Sequence, residues 1–93
     1  MILSVKHTVA DFDAWKLVFD EHAANRKEHG ATGHRLARSL DDPNSLTVLT
    51  MFPDRTSAEG FVADPSLREV MSRAGVTSEP TIEFLEVTEE APY

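Results

Sequence analysis

His22 and Arg26 stand four residues apart on one face of a helical repeat, and their side chains are the ones in this chain best suited to act together on a ligand. A guanidinium fork holds a carboxylate, phenolate or enolate through charge-assisted hydrogen bonds, and an imidazole moves a proton near neutral pH. The pair would form a catalytic centre in which His22 is the base and Arg26 stabilises the anion. A second reading stays open: the arginine stem covers apolar surface while its head reaches water, and the histidine closes the edge of the stripe.

The element that must position them is the run from Asp11 to His29, whose period predicts one amphipathic helix. Phe12, Trp15, Val18, Phe19, His22, Ala23, Arg26 and His29 share one stripe, and Asp13, Lys16, Asp20, Glu21, Lys27 and Glu28 face away. Asp11 is placed as the N-cap and Gly30 as the left-handed stop. Two polar groups thus point into an apolar face, and without a partner, water or a ligand each costs several kcal/mol.

Trp15 and Phe19 on the helix, with His7 and Met51 on strands, are candidate contacts for a planar ligand. An aromatic stripe at helical spacing is more often core than binding wall, and a lone histidine on an apolar strand face, such as His7, is more often a core or interface residue. No metal is expected: His22 and His29 lie two turns apart with a cation between them, and neither H-x-x-x-H nor H-x-E occurs. Without cysteine there is no thiolate nucleophile and no sulfur-ligated zinc or iron–sulfur site. No nucleophile elbow or phosphate loop is present, which leaves triad and nucleotide mechanisms without support, and because the histidines lack ligand spacing and cysteine is absent, neither haem nor a divalent metal is expected as a required cofactor.

Ninety-three residues make a single domain with a modest core. Sixteen acidic against nine basic side chains, a formal charge of −7, repel phosphate backbones and anionic lipid, so neither nucleic acid nor a membrane is an expected partner. No segment reads as a signal peptide or a membrane span, and the chain reads as a soluble, unprocessed cytoplasmic protein.

Around the first helix, Ile2 to Val9 alternates as a strand, with Leu3, Val5, His7 and Val9 on one face. Gly33–Leu40 and Ser45–Phe52 are two more strands, joined by the turn Asp41-Asp42-Pro43-Asn44. Thr56-Ser-Ala-Glu59 has the spacing of a capping box for a short helix through Ala63, and Asp64-Pro65 opens another that Gly75 ends, with Val76 and Met71 meeting across a Schellman stop. Thr81–Val87 is a last strand and Glu89–Tyr93 a loose acidic tail. The order βαββαβ predicts an α+β, ferredoxin-like fold: a four-stranded antiparallel sheet, the second helix broken, and all helices on one face. The other face carries Leu49 and Met51, which nothing else in the chain is left to cover, so a sheet-to-sheet homodimer is expected.

Three segments carry a resemblance: His7-Thr-Val-Ala-Asp-Phe-Asp-Ala-Trp15, the hairpin Arg38-Ser-Leu-Asp-Asp-Pro-Asn44, and Phe61-Val-Ala-Asp-Pro-Ser-Leu67 with Met71 through Val76. Together they resemble the dimeric α+β barrel superfamily, close to antibiotic-biosynthesis-monooxygenase-like proteins and the small bacterial members labelled cyclase-like. The resemblance implies two four-stranded sheets closing a shared barrel, with a pocket in each subunit between sheet and helices. Members include cofactor-free oxygenases and cyclases of aromatic polyketides and haem-degrading enzymes. The asparagine and tryptophan that such oxygenases and haem degraders use do not map cleanly, because Asn25 lies on the polar flank of the first helix and Trp15 lies on that helix rather than in the second crossover. The function that results is binding of a planar, weakly acidic small molecule, with cofactor-independent monooxygenation or cyclisation as its chemistry. The alternative is a dimeric binding or association module with no reaction of its own.

Overall fold

A computed structural model describes residues 1–93. The strands are β1 (Ile2–Thr8), β2 (Gly33–Arg38), β3 (Ser45–Met51) and β4 (Thr81–Leu85), and the helices are α1 (Phe12–Glu21), α2 (Ala23–Glu28), α3 (Arg55–Ala63) and α4 (Pro65–Arg73). The sheet order is β2-β3-β1-β4 and every neighbouring pair is antiparallel. This is the α+β, ferredoxin-like arrangement that the element order predicts.

The register fixes which side chains share a face. Val5 lies opposite Val48 and Ile82, and His7 opposite Leu46, so Leu3, Val5, His7, Leu46, Val48 and Thr50 point toward the helices. All six are buried, and Trp15, Phe19, Ala58 and Phe61 descend on them from α1 and α3. Ile2, Thr47, Leu49 and Met51 occupy the other face with Lys6, Arg35 and Glu83, and no helix of the chain covers it. Val87 lies beyond β4 and is exposed.

The caps explain where the helices begin and stop. Asp11 accepts a hydrogen bond from Ala14 N at 2.9 Å, and Gly30 with φ +94° closes the first crossover. At the end of α4, Gly75 with φ +81° lets Val76 N reach Met71 O at 3.1 Å and Gly75 N reach Ser72 O at 3.2 Å, the two bonds of a Schellman stop.

Two local expectations are corrected. Thr56 does not cap α3: Asp54, two residues earlier, accepts from Ser57 N at 2.8 Å, because a carboxylate outcompetes a hydroxyl for the first free amides. The first helix is not continuous: it breaks at His22 (φ −88°, ψ 6°), between α1 and α2.

The turn between β2 and β3 also locks the first helix in place. Asn44 Oδ1 accepts from Phe12 N at 3.0 Å and its Nδ2 donates to Ala10 O at 3.4 Å, while Val9 N donates to Asn44 O at 2.9 Å. Asn44→Ala removes the two side-chain bonds and should cost about 1–2 kcal/mol. A lower urea midpoint at unchanged m checks this.

Candidate functional site

At the break beside His22 a side chain bonds into the helix ladder. Phe19 O would ordinarily accept only from Ala23 N; here it takes His22 N at 3.2 Å and the Arg26 guanidinium, whose Nη1 donates at 2.9 Å. The same guanidinium lies over the Phe19 ring, its Cζ 3.7 Å from the centroid. Phe19 stacks on Trp15 at 4.8 Å and 23°, Trp15 meets Phe12 at 6.0 Å, and Arg38 lies over Phe12 at 4.5 Å. The aromatic stripe is therefore a column with a cation at each end. Stacking of a desolvated guanidinium on an aromatic ring contributes about 2 kcal/mol.

Arg26 is only 6 % exposed, yet it bonds to no carboxylate; Asp20, which favours its charge from a distance, is held by Lys16 Nζ at 2.7 Å. Of its five donors one is used inside the protein. Burial lowers its pKa from the ordinary arginine value, but a guanidinium starts so high that it stays charged.

Beside it, a narrow apolar cavity of about 60 Å³ lies between sheet and helices. His7, Trp15, Phe19, His22 and Arg26 all line it, with Val5, Val48 and Thr50 of the sheet, Phe61 of α3, and Leu67, Val70, Met71 and Ala74 around α4. Five of the six residues singled out from the sequence thus meet in one place. Met51 does not: it points to the opposite sheet face, and its neighbour Thr50 takes the position on the cavity wall. A shift of one residue along a strand reverses the face, and the alternation that puts Met51 with Leu49 on the uncovered face already sets it away from the helices.

Both imidazoles are short of partners. His7 is 5 % exposed, sits edge-on to Trp15 at 5.8 Å, and its Nδ1 has no hydrogen bond from another residue; His22 Nε2 is buried with none. Burial holds His7 below the usual histidine range, opposed in part by its own backbone. Burial also lowers the His22 pKa, and Arg26 adds to this, while Asp64 works the other way. Both are therefore neutral at pH 7, the form that accepts a proton. No group of three or more histidine, aspartate or glutamate side chains has an arrangement that would hold a metal.

Solved structures share the whole architecture. SnoaB, a cofactor-independent oxygenase from Streptomyces nogalater, solved as an asparagine-to-alanine variant, is 24% identical over 99% of this chain and 96% of its own, with a TM-score of 0.74. A protein from Deinococcus radiodurans assigned as an antibiotic biosynthesis monooxygenase is 17% identical over 100% and 98%, with a TM-score of 0.70. Rv0793 from Mycobacterium tuberculosis is 14% identical over 98% of each chain, with a TM-score of 0.68. No protein-family model and no curated protein matches the sequence. This chain has the antibiotic biosynthesis monooxygenase fold. At these identities the likeness is one of architecture, so chemistry has to be argued from the side chains.

Sequence reasoning missed a polar hub between α2 and the second crossover. Asp64 caps α4 through Ser66 N at 2.9 Å and also accepts from Asn25 Nδ2 at 3.2 Å and pairs with His29 Nε2 at 2.9 Å, tying α2 to the second crossover. These bonds, His29 first, hold its carboxyl far below the usual carboxylate range. The cap was legible from Asp64-Pro65; its partners, 35 and 39 residues away in sequence, were not. Thr50 was legible, since it alternates with Leu46, Val48 and Phe52.

The pKa directions predict how stability varies with pH. His7 and His22 bind a proton less readily folded than unfolded, so stability is full above the ordinary histidine pKa of 6.5 and falls as pH drops below it. Asp64, lowered, adds a separate loss below the ordinary carboxylate value of 3.8. Urea midpoints between pH 8 and 5 should decline for wild type and less steeply for His22→Gln.

Proposed function

We propose that the protein binds a planar, weakly acidic aromatic molecule in the cavity between the sheet and the helices, holding its oxyanion on Arg26. The observation that carries this reading is the Arg26 guanidinium: buried, still charged, bonded inside the protein by one donor, and facing an apolar space beside two unpartnered neutral imidazoles. A phenolate or enolate supplies the charge that the guanidinium lacks and the ring that the apolar walls accept.

The chemistry that fits is proton abstraction. His22 takes the hydroxyl proton, Arg26 stabilises the oxyanion, and Trp15, Phe19 and His7 confine the ring. An electron-rich phenolate is the form that reacts with dioxygen without flavin or metal, giving a quinone and water from a phenol and O₂; the same anion supports cyclisation. That SnoaB is a cofactor-independent oxygenase supports the first of these outcomes.

One observation favours a second reading. The cavity is far below the roughly 300–1,000 Å³ of ordinary ligand pockets, and Arg26 already serves its own helix, as in a binding or association module without a reaction. The two readings separate in one series. Titrating 2-naphthol against Trp15 fluorescence should give saturable binding that Arg26→Gln weakens tenfold or more, the loss of about 1.5–3 kcal/mol for a charged hydrogen bond. With hydroxynaphthoquinones or polyhydroxylated naphthalenes under air, His22→Gln should bind normally and consume no oxygen. Binding without turnover in wild type points to the non-catalytic module.

The second part of the reading is a homodimer through the open sheet face, supported by Ile2, Leu49 and Met51, which no element of the chain covers, and by Leu85 at its edge, 39% exposed. Light scattering should give one species at twice the 10.3 kDa of the chain; a monomer at micromolar concentration would contradict it.

A further inference from the structure

Besides the cavity, an open groove of about 720 Å³ adjoins α4, lined by Val62, Pro65 and Arg68 together with Val76, Pro80 and Ile82. Leu67 and Met71 are the only two residues that line both the groove and the cavity. Taking the cavity as the ligand site, as above, we infer that Leu67 and Met71 form a side-chain gate through which ligand enters from the groove, and that they set the size of ligand admitted.

The argument is one of which wall can yield. A ring does not fit the roughly 60 Å³ now open, so some wall must retreat. Val5, His7, Val48 and Thr50 stand on the two central strands, bonded on both sides. Trp15 and Phe19 are locked in the aromatic column, and Phe61 and Ala74 are buried. Only α4 among the three longer helices has no buried residue. Its backbone is nonetheless pinned at both ends, by Asp64 to α2 and by Ala10 N to Gly75 O at 2.9 Å and Thr77 N to Thr8 O at 2.9 Å. The freedom therefore lies in side chains on the middle of the helix. Leu67 and Met71, one turn apart and half-buried, present flexible side chains to both spaces, and methionine with three rotatable bonds adapts most readily. Val70 lines the cavity but not the groove, and Arg68 lines the groove but not the cavity.

Those two residues supply the controls. Trp15, 4 % exposed and the only tryptophan, reports access to the cavity through acrylamide quenching in ligand-free protein. Leu67→Ala and Met71→Ala should raise its quenching constant severalfold, Arg68→Ala should leave it at the wild-type value, and Val70→Ala, which hollows the cavity without opening it to the groove, should raise it less than either gate variant, all at unchanged circular dichroism. Leu67→Phe and Met71→Phe, which narrow the gate without hollowing the core, should slow stopped-flow association of 2-naphthol and slow its dissociation alike. An equal rise in all four alanine variants, or a rise in none, overturns the gate; so do association rates indifferent to phenylalanine. The quenching arm needs no ligand, so a failure of 2-naphthol to bind any variant removes the ligand reading and leaves the gate to stand or fall on quenching.

Discussion

The contact of the Arg26 guanidinium with Phe19, through the carbonyl at 2.9 Å and the ring at 3.7 Å, is the constraint around which the helical layer is arranged. An arginine taken out of water needs acceptors, and the chain provides one by interrupting its own first helix. That interruption does three things at once. It frees the Phe19 carbonyl from its usual i+4 partner, sets His22 at the corner between α1 and α2 with Nε2 buried, and leaves Arg26 lining the same cavity as Val48 and Thr50.

The sheet fits this arrangement. Its two central strands give the helices a wholly buried face in which His7 and Thr50 are the polar positions adjoining the cavity, and both sit across from the column of Phe12, Trp15 and Phe19. The outer strands carry little burial, and the opposite face mixes Leu49 and Met51 with Lys6, Arg35 and Glu83. Burial is thus concentrated beneath the helices, where an unpaired cation costs most and an anionic guest would gain most.

Much of this was legible in the residues. Alternation in β1 and β3, the caps Asp11 and Asp64, and Gly30 and Gly75 as left-handed stops give the element order, and the order gives the sheet. The helical stripe placed Trp15, Phe19, His22 and Arg26 on one wall. What was not legible depended on contacts distant in sequence or on side chains rewriting backbone bonding. The stripe of Asp11–His29 runs unbroken through His22, because nothing in a periodicity reveals that Arg26 will bond the carbonyl of Phe19, seven residues earlier. Met51 is a candidate contact although its alternation with Leu46 and Val48 sets it on the uncovered face, and Thr50, which the same alternation turns inward, is not singled out. Local departures from regularity of this kind gather where a chain binds something, since the fold tolerates them only if other groups offset their cost.

If Arg26 receives an anion, the absorption spectrum of bound 4-nitrophenol shows it, at a pH below the one at which the free phenol ionises. Wild type should shift the bound phenol to its yellow phenolate form, and Arg26→Gln, still folded, should not. A bound phenol that stays neutral in wild type, with the same affinity in Arg26→Gln, would contradict it.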